Sequence, residues 1–435
     1  MRRTAIAIGV GLVLAVSGGI GIATTSGEPT ERPGPAVARV VPDSGQGLGA
    51  TIISLQDTLR RVPKDHVSWA NLAVAYVEQA RVTGLASYYD KADEAASRSF
   101  TIEPDENFIA LAARAAIESA RHNFVEALAS AEEALAINAF DVGSLAIRVD
   151  TLTELGRYDD QLQALRTADR RQPSTAIAAR FAYAYELRGD LDRAGDVLRD
   201  AAANGGGAER AYLLTLRADV LRKQGRLKAA GRDLEIAQQA APDRLLALVS
   251  TARLQTARGD LEGAVKTWQD VTARQPLPEY LTELGELLDH LGRTAEAEAQ
   301  YDVVRTTIEL LDANGVKSDL ETAIFEADHG STRQALEQAQ VEWSRRTSVH
   351  VADAYAWALH RVGRDAKALE IARAATRLGT PEARFWIHRG TIEAALGMTD
   401  AARTHLQRGL ATDPGMSPWQ RDQALATLSR LRGGG

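Results

Sequence analysis

The 435-residue chain contains no cysteine, which excludes disulfide frameworks, zinc ribbons, thiol nucleophiles and iron–sulfur ligation. It also lacks any long basic run, and 58 acidic against 51 basic side chains leave a net charge of −7. That balance argues against binding along a nucleic-acid backbone, so no nucleic-acid partner is expected. Aromatic residues make up only 5% of the chain while apolar residues reach 45%, a composition of Ala-rich helices rather than of a β-sandwich. The patterns HExxH, GxxxxGKS/T and GxSxG, and a GxGxxG following a strand, are all missing. The metalloprotease, P-loop, hydrolase and dinucleotide chemistries go with them. Long apolar runs are absent too, except at the N-terminus.

There Met1-Arg2-Arg3 precede an uncharged apolar run from Thr4 to about Ala23, the layout of a secretory signal. Residues 1–23 are therefore expected to be a signal peptide or a signal anchor. Gly21 and Ala23 suit a cleavage site, whereas roughly 20 apolar residues can also span a bilayer. The two arginines would keep the N-terminus inside and place the rest outside. The expected location is extracytoplasmic, either secreted or anchored to the cell membrane by this segment, with membrane association through it alone. Residues 24–49, with Pro29, Pro33, Pro35 and Pro42 among Gly, Ser and Thr, lack hydrophobic periodicity and read as a disordered stalk.

What is abundant is glycine at a regular interval. Gly156, Gly189, Gly225, Gly259, Gly292, Gly330, Gly363 and Gly397 are separated by 33, 36, 34, 33, 38, 33 and 34 residues, the length of one helix–turn–helix repeat. Five residues after them stand Ala194, Ala230, Ala264, Ala297, Ala335, Ala368 and Ala402, with Gln161 the one exception. Each glycine ends a first helix where the chain turns in a left-handed conformation that costs other residues about 1 kcal/mol. Each alanine opens a second helix where a small side chain lets two backbones approach. Prolines at 63, 104, 173, 242, 276 and 414 are expected to close second helices.

These residues resemble the tetratricopeptide repeat family. Trp69-Ala70-Asn71-Leu72-Ala73-Val74-Ala75-Tyr76 matches the opening of its pattern, Glu154-Leu155-Gly156-Arg157-Tyr158 its turn, and Trp386, Gly390, Gly397, Ala402 and Pro414 a complete unit. The resemblance implies an all-α, right-handed superhelical solenoid over residues 50–432. About ten units are expected, at 66–107, 108–141, 142–174, 175–210, 211–244, 245–277, 278–315, 316–348, 349–382 and 383–416, with a C-terminal cap at 417–432. A lone helix from Ile52 to Val62 would cap the front and one from Trp419 to Leu431 the back, since an interior unit leaves an apolar face open. Four departures stand out: a first unit lengthened around Val82 to Tyr89, His122 at a glycine position, the run Asn204-Gly205-Gly206-Gly207 that reads as a hinge, and a long second helix through Val304 to Leu311. Arginine outnumbers lysine 44 to 7, as in a high-GC bacterium, and the chain is similar to exported repeat proteins of actinobacteria, a similarity that supplies no biochemical activity.

In the resembling family, partners lie along a concave groove lined by five positions of each first helix. Carried onto this chain, these are Tyr212, Thr215, Asp219, Arg222 and Lys223 in the fifth unit; Glu279, Thr282, Glu286, Asp289 and His290 in the seventh; and His350, Asp353, Trp357, His360 and Arg361 in the ninth. The early units carry Val67, Ala70, Val74 and Val77, then Ile109, Ala112 and Ala116, so the groove is apolar first and polar later. Trp357 is the tryptophan expected to face a partner. Six of the eight histidines lie from His290 onward, and Asp289, His290, Asp328 and His360 form a weak metal candidate on consecutive first helices. The function implied is an extracytoplasmic scaffold, not an enzyme, that binds a protein or peptide along its groove. A ligand- or metal-handling envelope protein using the His/Asp-rich late units is the alternative. No cofactor is expected.

Overall fold

The computed structural model describes residues 45–433 apart from 84–86, 243 and 314–319. The signal segment 1–23 and residues 24–44 of the stalk lie outside the described residues. Among the described residues every regular element is a helix, and no helix is long and apolar enough to cross a membrane. Helix α1 (Gly45–Arg61) comes first. Ten helix pairs follow: α2 (His66–Thr83) with α3 (Ser87–Ile102), α4 (Phe108–Ala120) with α5 (Phe124–Ile137), α6 (Val142–Glu154) with α7 (Tyr158–Arg171), α8 (Thr175–Leu187) with α9 (Leu191–Asn204), and α10 (Gly207–Lys223) with α11 (Leu227–Ala240). The remaining pairs are α12 (Leu245–Ala257) with α13 (Leu261–Arg274), α14 (Pro278–His290) with α15 (Thr294–Ala313), α16 (Leu320–His329) with α17 (Thr332–Arg345), α18 (Val349–Arg361) with α19 (Asp365–Ala375), and α20 (Ala383–Ala395) with α21 (Thr399–Thr412). Helix α22 (Pro418–Gly433) closes the array.

The turn inside each pair has one recurring geometry. Gly156, Gly189, Gly225, Gly259, Gly292, Gly363 and Gly397 all adopt φ between 67° and 77°. In the turn at Gly225, the Gly225 N–H donates to Arg222 O at 2.8 Å and the Arg226 N–H reaches back to Leu221 O at 2.8 Å. These are the two closing bonds of a Schellman motif, which satisfy carbonyls the helix end leaves open. His122 fills the same role at φ 62°, with Asn123 N–H on Glu118 O at 2.9 Å, so the missing glycine does not abolish the second turn. Gly330 departs from the set: the Glu326 carboxylate accepts from Ser331 N–H at 2.6 Å and caps the turn by side chain instead.

The alanines five residues on are fully buried: Ala194, Ala230, Ala264, Ala297, Ala335, Ala368 and Ala402 are all 0% exposed, as is Ala127 after His122. Where Gln161 stands in place of alanine, its amide donates to the buried Thr153 hydroxyl at 2.6 Å. A polar pair thus fills the notch that a methyl group fills elsewhere. The six prolines at 63, 104, 173, 242, 276 and 414 each stand two residues beyond a helix end, where their missing N–H breaks no ladder.

Residues 45–49 belong to α1 rather than to a stalk. Leu48 and Ile52 are buried in a cluster with Leu72, Tyr76 and Ala95, and this burial outweighs the weak helix preference of the surrounding glycines. The long seventh second helix is present as the 20-residue α15. Two compact units divide the chain after Arg180, inside α8. The core of the first gathers Leu59, Tyr76, Ala92 and Ile117. That of the second is richest around Trp268, Leu284, Tyr301 and Phe325.

The turn glycines make a direct test. Nothing lies within 4 Å of a Cβ placed on Gly259, whereas one on Gly189 would meet Gly379 O at 3.1 Å. Gly259→Ala should therefore cost only the left-handed strain, about 1 kcal/mol, and Gly189→Ala clearly more. Urea denaturation of both full-length variants, followed by circular dichroism, checks this; equal losses would contradict it.

Candidate functional site

The first helices of the second unit present the positions expected to line a groove, and the structure fills them with the chain's own late helices. Arg222 on α10 pairs with Asp413, which follows α21. Lys223 pairs with Glu186 at 2.8 Å and with Glu382, before α20, at 3.5 Å. The Tyr183 hydroxyl on α8 meets His350 Nε2 on α18 at 3.1 Å. The Thr380 hydroxyl donates to Leu187 O at 2.7 Å. His290 on α14 contacts Asp422 on α22 at 2.7 Å, and the His329 ring packs on Trp419 with centroids 4.8 Å apart. The second unit therefore closes on itself along a polar seam.

Most of the other groove candidates are engaged nearby. Tyr212 is buried with the Arg244 guanidinium 5.5 Å from its ring. Asp219 accepts from the Ser250 hydroxyl at 2.7 Å, and Thr215 bonds its own helix at Ala211 O. Glu286 contacts His329 at 3.2 Å, and Asp289 accepts from the Tyr301 hydroxyl at 3.0 Å. Around α18 the structure brings several candidates together. Trp357, 8% exposed, stacks flat on His388 at 4.0 Å and against His360 at 4.9 Å. Its indole N–H donates to Asp328 Oδ1 at 2.8 Å. Asp353 holds His388 at 3.0 Å and Arg384 at 3.1 Å. Trp357 is thus an internal residue of this stack. Arg361 is exposed, its guanidinium 5.8 Å from the Trp357 ring.

Burial and neighbouring charges both shift the titration of this cluster. Desolvation lowers the His350 pKa to about 4, and it also lowers His360, against the pull of Asp365. Desolvation raises the Asp328 carboxyl. At Asp353 burial pushes upward, but His388 and Arg384 together outweigh it and hold the carboxyl below its usual range.

The metal candidates stay apart in function. His290 is bound to Asp422, Asp289 to Tyr301, Asp328 to Trp357, and His360 to Asp365 at 2.6 Å. Among the described residues no three His, Cys, Asp or Glu side chains form a group that could hold a metal ion. Sequence reasoning missed Asp413, Glu382, Asp422, Trp419 and His388. These lie in late loops and helices whose partners are up to 191 residues away, and no local spacing marks them.

Two outcomes follow. Trp357→Ala should destabilise the chain by about 3–5 kcal/mol, because it opens a cavity and leaves Asp328 without its donor; a loss below about 1 kcal/mol in urea titrations would contradict the stack. His350 has its folded pKa near 4 against an unfolded value of 6.5, so the unfolded chain takes up the proton first. Stability should be complete above pH 6.5 and fall by about 3 kcal/mol toward pH 4. His350→Gln should flatten that part of the pH–stability curve.

A tetratricopeptide repeat family model matches residues 215–276 and, overlapping, 249–307. No curated protein matches the chain in sequence. Among solved structures, a tetratricopeptide repeat protein from Parabacteroides merdae is 21% identical, covering 59% of this chain and 98% of its own, with a TM-score of 0.34. A thermophilic tetratricopeptide protein of Thermus thermophilus is 20% identical over 42% of this chain and 98% of its own, TM-score 0.37. The human IFIT1 dimer with PPP-AAAA is 15% identical over 84% and 86%, TM-score 0.45. The matched stretch runs from within α10 into α15, and there the chain is similar to tetratricopeptide repeats.

Proposed function

We propose that this protein is an extracytoplasmic, non-catalytic scaffold that binds a protein or peptide partner, and that its N-terminal segment either directs secretion or anchors it at the membrane. Arrays of helix pairs offer long inner faces suited to extended contact. The observation that carries the reading is a contrast between inner faces. In the second unit these positions are taken by internal polar pairs. In the first unit Ala70 and Val77 are buried in the core, but Val67 and Val74 on α2 and Ile109, Ala112 and Ala116 on α4 remain partly exposed. Partly exposed apolar side chains on two packed helices offer an apolar contact face, and a partner's contacting residues would be apolar as well. The charged-then-apolar start, Met1-Arg2-Arg3 and Thr4 to Ala23, supports export.

In a pull-down from the envelope fraction, the double variant Val74→Asp, Ile109→Glu should lose a recurrent partner at least tenfold with unchanged helical circular dichroism. Undiminished capture would count against the face. Fractionation of cells expressing the chain with and without residues 1–23 tests location. The full chain should reach the envelope or medium and the shortened one should stay inside.

A further inference from the structure

Along the seam of the second unit, one contact has the character of a ligand in a site. The loop between α21 and α22, Asp413-Pro414-Gly415-Met416, lies on the inner face of α10 and α12. The Asp413 carboxylate meets Arg222 Nη1 and folds back onto its own Gly415 N–H at 2.8 Å. Gly415 fits a notch in which a Cβ would lie 2.6 Å from Arg222 Nη1 and 2.8 Å from Arg253 O. The loop is therefore matched closely to the surface beneath it.

The receiving group is not fully used by this occupant. Arg222 is 4% exposed, yet its Nε completes no hydrogen bond and stands 3.6 Å from Asp219 Oδ1, beyond hydrogen-bond range. A guanidinium is a planar fork that binds carboxylates through two parallel N–H groups, and Asp413 engages one. Lys223 beside it, held by Glu186 and Glu382, adds positive charge at the same place. Burial pushes the Asp413 carboxyl up, but Arg222 and Lys223 overcome it and keep the group ionised.

We propose that the loop 413–416 is an internal stand-in that closes this face, and that an acidic, extended segment of a partner protein displaces Asp413 from Arg222. This extends the scaffold reading to a second, normally shut surface. It is independent of the apolar face, since Val74 and Ile109 play no part in it.

The probe is a fluorescein-labelled peptide with the sequence of residues 409–418, tested by anisotropy against the full-length chain. Wild type should bind it weakly, because the tethered loop outcompetes it. Gly415→Ala, which wedges the loop off the notch, should raise affinity at least tenfold. Adding Arg222→Ala to that variant, or replacing the peptide's aspartate with asparagine, should abolish the gain. Asp413→Asn keeps the loop's shape and should give the same gain if Gly415→Ala folds poorly. Several results would overturn the proposal: no gain in a folded variant, a gain indifferent to Arg222 or to the peptide's charge, or dimerisation of the variant by light scattering in place of peptide capture.

Discussion

Two helices joined by a short turn can pack closely only if the chain reverses within a few residues and nothing bulky stands where the backbones meet. This constraint is met again and again by a residue in the left-handed region and, five positions later, a side chain with no exposed surface. The departures show that the fold requires a tight reversal and a close approach, not a particular residue or one turn conformation. His122 accepts a positive φ, Glu326 replaces the turn geometry with a side-chain cap, and Gln161 brings a hydrogen-bonded partner, Thr153, into the space. Once each pair is formed, its apolar faces have no partner except the next pair, so the array follows from the turn.

This is why the architecture was legible in the sequence. Left-handed turns, small contact residues and helix-stopping prolines are local requirements, and local requirements leave periodic traces. The start of α1 was less legible, because Gly45, Gly47 and Gly49 disguise a helix whose order comes from burying Leu48 and Ile52. Closure of the second unit was not legible at all. The rotation from one pair to the next is small, and whether successive rotations bring α18 to α22 back onto α8, α10 and α14 depends on their accumulated sum. No single repeat encodes that sum.

The seam is held differently from the core. Within and between neighbouring pairs the core is apolar, as around Trp268 and Leu284. Across the seam they are Arg222 with Asp413, Lys223 with Glu382, Tyr183 with His350 and His290 with Asp422. Buried ion pairs repay little of their desolvation but are strongly destabilising when one partner is removed. A seam of this kind therefore adds less to stability than to the choice of one arrangement. Two apolar surfaces could slide past each other, whereas mispaired charges could not.

A second set of polar contacts explains why the inner positions resembled a partner surface. Consecutive first helices are tied one repeat apart by Asp150 with Arg180, Glu186 with Lys223, Asp219 with Ser250, Glu283 with Arg253, and Asp353 with Arg384. Polar side chains at repeating inner positions are what a ligand groove needs, and they are equally what a ladder of rungs between repeats needs. Sequence spacing alone treats the two alike. Geometry separates them: at Arg180 both guanidinium arms meet Asp150, at 2.8 and 2.6 Å, leaving that carboxylate little capacity for a ligand. The excess of arginine over lysine, 44 to 7, has a structural use here, since only a planar fork can bridge two helices with paired bonds of fixed direction. The rung that lysine makes, Lys223 with Glu186, carries the charge through a single contact, whereas Arg180 and Arg253 each reach a carboxylate through two N–H groups and so fix its orientation as well.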